Sequence, residues 1–200
     1  MIATASPSNN PALSLEDELN ALAADMRRDL MPEQRARMMN MAGDLCYDDG
    51  QRERALLYWD AAIDLYLASG RFAASAAICE KLVRLNPDIV RARCTLAWLA
   101  IARGLDDDAA RRVEEYGEAA TRLERPTVAQ RQLRAMAEET DSESMLEAIA
   151  HALLKLGDAV SADRIFGFAH NPTSRTRHVH GSASDRERAI ISRLTHAWSG

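Results

Sequence analysis

Residues 56–89 read LLYWDAAIDLYLASGRFAASAAICEKLVRLNPDI, and residues 90–123 read VRARCTLAWLAIARGLDDDAARRVEEYGEAATRL. Laid one over the other, these two 34-residue stretches share their punctuation. Gly70 falls on Gly104 and Ser75 on Ala109, while Ala62 falls on Leu96, Tyr66 on Ala100 and Cys79 on Val113. Within each stretch apolar residues recur every three or four places, which lines one face of a helix. The glycine sits between two such runs, where helices prefer to end. Each stretch therefore reads as a helix, a tight turn and a second helix running back.

The same grammar extends in both directions. Ser14 and Asp17 form a capping pattern, and Leu15, Leu19, Leu22, Met26 and Leu30 follow at helical spacing until Pro32. A second helix is expected over Glu33–Asp49, with Met38, Met41, Ala42 and Leu45 inward, and a third over Arg52–Ser69. Phe72–Asn86, Asp88–Arg103 and Asp106–Leu123 follow, and Thr127–Glu139 is a weaker, more polar helix. Thr140 and Glu143 make another capping pair ahead of Met145, Ile149, Leu153 and Leu156, and the next helix is expected over Asp158–Ala169. The short links force consecutive helices to fold back antiparallel.

Composition agrees. There are 36 Ala and 22 Leu against 23 β-branched residues, a balance that favours helices over strands. No long stretch alternates with period two, so the chain is expected to be all-α. No apolar run approaches the roughly 20 residues that span a bilayer. Residues 1–11 carry neither positive charge nor an apolar centre, so they do not read as a secretory leader. A net charge of −5 argues against a chain held by nucleic-acid phosphates. Arg outnumbers Lys 23 to 2, but is interspersed with acids throughout. Cys46, Cys79 and Cys94 are odd in number, widely spaced and set in helical apolar patterns, so they are read as core residues in a reducing, cytoplasmic setting.

A 34-residue helix–turn–helix period resembles the tetratricopeptide repeat. Residues 56–89 place Trp59, Ala62, Ile63, Tyr66, Ser75, Cys79, Leu82 and Pro87 at that motif's marked positions. Residues 90–123 place Arg93, Leu96, Ala97, Ala100, Ala109, Val113, Tyr116 and Thr121 there. Residues 143–176 give the cleanest match, with Leu146, Ile149, Ala150, Leu153, Ala162, Phe166 and Ala169, and Gly157 at the turn. Small residues at the eighth and twentieth positions let two helices of a unit approach. No unit can bury its apolar face alone, so units stack. Residues 36–69 also match, through Gly43, Gly50, Ala55, Trp59 and Ala62, and overlap the 56–89 unit. Arg52–Ser69 is thus the second helix of one unit or the first of another.

The resemblance implies an antiparallel helix-hairpin array, a TPR-like α-solenoid over residues 13–169, that takes a partner's peptide or helix along its inner face. The first-helix positions that make such contacts carry Asp60, Asp64 and Leu67, then Arg91, Thr95, Trp98 and Ile101, then Glu147, His151 and Lys155. Trp98 is the expected apolar anchor. Asp60 and Asp64 stand where the family's carboxylate-clamp version would carry basic or amide side chains, so an acidic chain terminus is not the implied ligand.

Nothing in the sequence marks catalysis: no phosphate loop, dinucleotide fingerprint, HExxH helix or nucleophile elbow is present. Asp48–Asp49 and Asp106–Asp108 read as solvated residues complementing helix amino termini. The five methionines between Met26 and Met41 read as core packing. Residues 1–12 are expected to form a loose tail and 170–184 a basic, His-containing linker. His178 and His180 lack the further fixed ligands a metal needs, so neither metal nor cofactor is expected. Over 185–200, Ser184 with Glu187 and the stripe Ala189, Ile190, Leu194 and Trp198 suggest a helix capping the array. The expected function is a non-catalytic adaptor or scaffold for a protein or peptide partner. The alternatives are a sensory module for a small ligand and a structural subunit, which includes self-association.

Overall fold

A computed structural model describes residues 14–26, 30–123, 126–170 and 189–190. Among these there are nine helices and no strands: α1 Leu15–Met26, α2 Pro32–Asp48, α3 Arg52–Ala68, α4 Phe72–Leu85, α5 Val90–Arg103, α6 Asp106–Arg122, α7 Pro126–Glu138, α8 Glu143–Lys155 and α9 Ala159–His170. The fold is an all-α array in which neighbouring helices pack on one another. The expected tail 1–12, His178 and His180, and most of 185–200 lie outside the described residues. His170, expected to begin the linker, is the last residue of α9.

Four turns share one construction. Gly50, Gly70, Gly104 and Gly157 all have φ between 68° and 84°, a left-handed conformation that only glycine adopts without a steric penalty. In each, the glycine N–H donates to the carbonyl three residues back, as from Gly104 to Ile101. The next N–H reaches back five, as from Leu105 to Ala100. This double bond satisfies two carbonyls a helix end leaves without partners.

The chain divides into two compact units, residues 1–65 and 66–200. In the first, Ser14 Oγ and Asp17 bond each other and the start of α1 as the sequence predicts. Arg54 of α3 pairs with Glu16 of α1 at 2.7 Å. The core of α2 is made by its small residues, Ala36, Ala42, Gly43 and Cys46. The reason is Trp59 of α3: its ring lies so close over Gly43 that a Cβ there would sit 2.5 Å from the indole. The Trp59 Nε1–H donates to Asp44 at 2.8 Å, and the ring tilts against Tyr47. Met41, expected inside, is exposed, as is Met31, while Met38 and Leu45 are half-buried. Close approach selects small residues on the inner face, so the larger methionines turn outward.

In the second unit α6 is central, packing extensively on α5 and α8, and α8 in turn on α9. Gly117 permits the α6–α8 approach, since a Cβ there would meet the Ala152 methyl at 2.7 Å. α5 is surrounded: every residue from Cys94 to Ala102 is buried. Burial raises the Cys94 thiol to a pKa of about 12, and the Tyr116 phenol against it is likewise held protonated by burial. All three cysteines are buried and unbridged. Thr140 does not cap α8; the N-cap is Ser142, whose N–H donates to the Thr140 hydroxyl. Ala189 and Ile190 are helical, and Ile190 is fully buried in the core formed by α5–α9. Burial of that side chain contributes about 1.5–3 kcal/mol.

Candidate functional site

The sequence-predicted contact residues separate into three sets. Asp60 of α3 is half-buried, Asp64 is exposed and Leu67 is buried. On α5, Arg91 is half-buried, and Thr95, Trp98 and Ile101 are 2%, 0% and 1% exposed. On α8, Glu147 is half-buried, and His151 and Lys155 are exposed. Trp98 therefore cannot serve as an open anchor for a partner.

α4 and α6 pack on α5, and α7, a helix the 34-residue period does not account for, adds to the cover at Trp98. Its Ala129, Leu133 and Met136 are buried in the same core as Trp98. Its Gln132 is 5% exposed and accepts the Trp98 Nε1–H at 3.0 Å. Two further contacts fix α7 at its other flank. Gln130 donates to the Leu156 carbonyl at 2.8 Å, and Arg134 pairs with Asp158 at 2.5 Å. At Trp98 α7 thus stands where a partner's chain was expected, while most of α5 is covered by α4 and α6. Thr95 turns its hydroxyl onto the Arg91 carbonyl at 3.1 Å, which satisfies it within its own helix.

The open surface is on α8. Glu143, Glu147, His151 and Lys155 follow one another at four-residue spacing, which sets them on one helical face. Their neighbours come from both flanking helices. Lys155 lies 3.4 Å from Glu118 of α6, while the His151 ring stands edge-on to Phe166 of α9 with centroids 5.1 Å apart. Glu147 lies 3.7 Å from His170 of α9. Glu114, His151, Ala152, Leu154 and Lys155 enclose a half-open hollow of about 370 Å³. Leu154 is 42% exposed beside it, so the hollow pairs an apolar wall with both signs of charge. Sequence reasoning reached His151 and Lys155 through the repeat register. It missed Glu114, which lies on α6 and is not among the first-helix positions the resemblance names.

Electrostatics support the frame rather than chemistry. Partial burial works against the charge on Asp108, but the Arg112 and Arg111 guanidiniums outweigh it and hold the carboxyl below its ordinary range. Partial burial also works against the charge on Asp158, where the Ser161 hydroxyl and N–H and the Arg134 guanidinium outweigh it and hold that carboxyl low as well. Exposed pairs such as Arg122–Asp88, at 2.8 Å, each contribute at most about 1 kcal/mol. No helix among the described residues is long and apolar enough to cross a membrane. No protein-family model matches the chain, and neither a curated protein nor a solved structure matches it significantly.

Proposed function

We propose that the chain is a non-catalytic, TPR-like interaction module that holds a peptide or helix of a protein partner along the α8 face. The observation that carries this is the α8 stripe itself: charged and aromatic-flanked side chains at one spacing, beside an apolar hollow, on a rigid helix buried on its other side. A rigid wall lowers the ordering cost of association. Mixed charge at the rim sets orientation, and Leu154 with the hollow offers apolar area. The repeated glycine turns and the small residues Ala97, Ala109, Ala150 and Ala162, all fully buried, support the repeat reading. Three buried thiols suit a reducing, cytoplasmic setting.

The test is affinity capture followed by mass spectrometry, comparing the wild type with Glu147→Lys/Lys155→Glu and with Arg103→Glu, an exposed site on α5. A partner retained by Arg103→Glu and lost by the α8 pair supports the reading. A partner captured equally by all three contradicts it.

The hollow favours a second reading, in which a small ligand binds at Glu114, His151 and Lys155, since its volume lies within the range of small-molecule sites. A ligand-library thermal shift that depends on His151 and Lys155 would support that reading over a protein partner.

A further inference from the structure

Glu143 opens α8 and Glu147 stands one turn further on, while His170 closes α9. The two helices run back on each other through the Gly157 turn, so the first turn of α8 lies beside the last turn of α9. One ligand atom from each of Glu143, Glu147 and His170 lies within 4.8 Å of the other two. Two carboxylates four residues apart on a helix repel each other, and this pair converges with an imidazole from the neighbouring helix.

The histidine is oriented from behind. His170 Nδ1 lies 3.1 Å from the Phe166 carbonyl, an acceptor only, so that nitrogen carries the proton. In the neutral ring the lone pair is then on Nε2, which faces Glu147 at 3.7 Å, beyond hydrogen-bond length. An imidazole that donates one N–H to a backbone carbonyl and turns its other nitrogen toward carboxylates has the outer support of a metal ligand. The Phe166 carbonyl lies outside the three-residue cluster, so this support is independent of the cluster's own proximity.

We propose that Glu143, Glu147 and His170 bind a divalent transition cation of the zinc type. Carboxylates alone would suit magnesium or calcium, whereas an imidazole donor shifts preference toward zinc, cobalt or nickel. Zinc bonds to nitrogen and oxygen span about 2.0–2.2 Å, so tetrahedral donors stand roughly 3.4 Å apart. The three side chains close by about an ångström to reach that spacing. Glu143 is exposed and the His170 side chain is 64% exposed, so neither is locked by packing. Water completes the coordination. The cation relieves the carboxylate repulsion. It clips the start of α8 to the end of α9, a structural role that stands whether or not α8 holds a partner.

Calorimetric titration of the metal-stripped full chain with zinc chloride tests this, with cobalt(II) absorption as a second readout. One equivalent is expected to bind to the wild type, with visible cobalt bands. His170→Gln and Glu147→Gln are each expected to weaken binding at least about tenfold and to remove the bands, with helical circular dichroism unchanged. His178→Gln/His180→Gln is expected to bind like the wild type. Absence of binding by the wild type overturns the proposal. So does binding that survives His170→Gln, or that is lost in the His178/His180 variant.

Discussion

On α5 the register positions expected to face a partner hold Arg91, Thr95, Trp98 and Ile101; on α8 they hold Glu147, His151 and Lys155. The first set is closed in by the helices packed on α5, with α7 at Trp98, and the second stands more open beside α6 and α9. The two helix hairpins share their turn geometry at Gly104 and Gly157 and their buried small residues Ala97, Ala109, Ala150 and Ala162. They differ in their cover. α7 brings an apolar face of its own that must be buried, and it places Leu133 and Met136 in the core that holds Trp98.

That contrast can be broken at several points. Trp98→Ala is expected to cost about 3–5 kcal/mol, since it empties a fully buried site and strands Gln132, with a large drop in Tm by calorimetry. Ile190→Ala is expected to cost somewhat less, about 2–4 kcal/mol, in the same measurement. A loss below about 0.5 kcal/mol would mean that the carboxy-terminal residues are not part of the second unit's core. Gly117→Val forces α6 from α8 and is expected to cost about 1–3 kcal/mol.

Smaller effects sharpen the picture. Asp158 has its folded pKa lowered, so its contribution is complete above the unfolded carboxyl value near 3.9 and is lost as pH falls through the lower, folded value. Asp158→Asn is expected to remove part of the acid sensitivity in urea unfolding between pH 5 and 2. Urea midpoints that fall with acid equally in both proteins would contradict the lowering of the Asp158 carboxyl by Ser161 and Arg134. His151→Ala is expected to shift stability by no more than about 0.5 kcal/mol, in contrast with Trp98→Ala on α5.

Much of the fold is legible in the sequence because helix ends are written locally. Gly50, Gly70, Gly104 and Gly157 supply the left-handed turns, and each observed helix falls within two residues of its expected start, apart from the caps. Two local readings fail for tertiary reasons. Met41 points outward because the Trp59 ring admits only small residues beneath it, and ranking residues by hydrophobicity ignores close approach. Thr140 loses the cap to Ser142 because it is itself buried.

Of the candidate site, His151 and Lys155 were reached only through the resemblance and its repeat register. The burial of Trp98 had a signal in Cys94–Ala102, nine consecutive residues without a charge, which is the pattern of a helix covered all round rather than on one face. What no spacing could supply is the identity of the cover. Gln132 is a polar residue in a polar helix, and only the fold brings its amide to the Trp98 indole.

Trp98 therefore decides the matter. With Trp59→Phe and Trp198→Phe leaving it as the sole indole, its fluorescence reports directly on whether α7 covers α5. A blue-shifted emission, weakly quenched by acrylamide and released by Met136→Asp in α7, is the predicted result. An emission at the wavelength of solvated tryptophan, quenched as strongly as the free amino acid in the otherwise folded protein, would contradict it and return the partner face to α5.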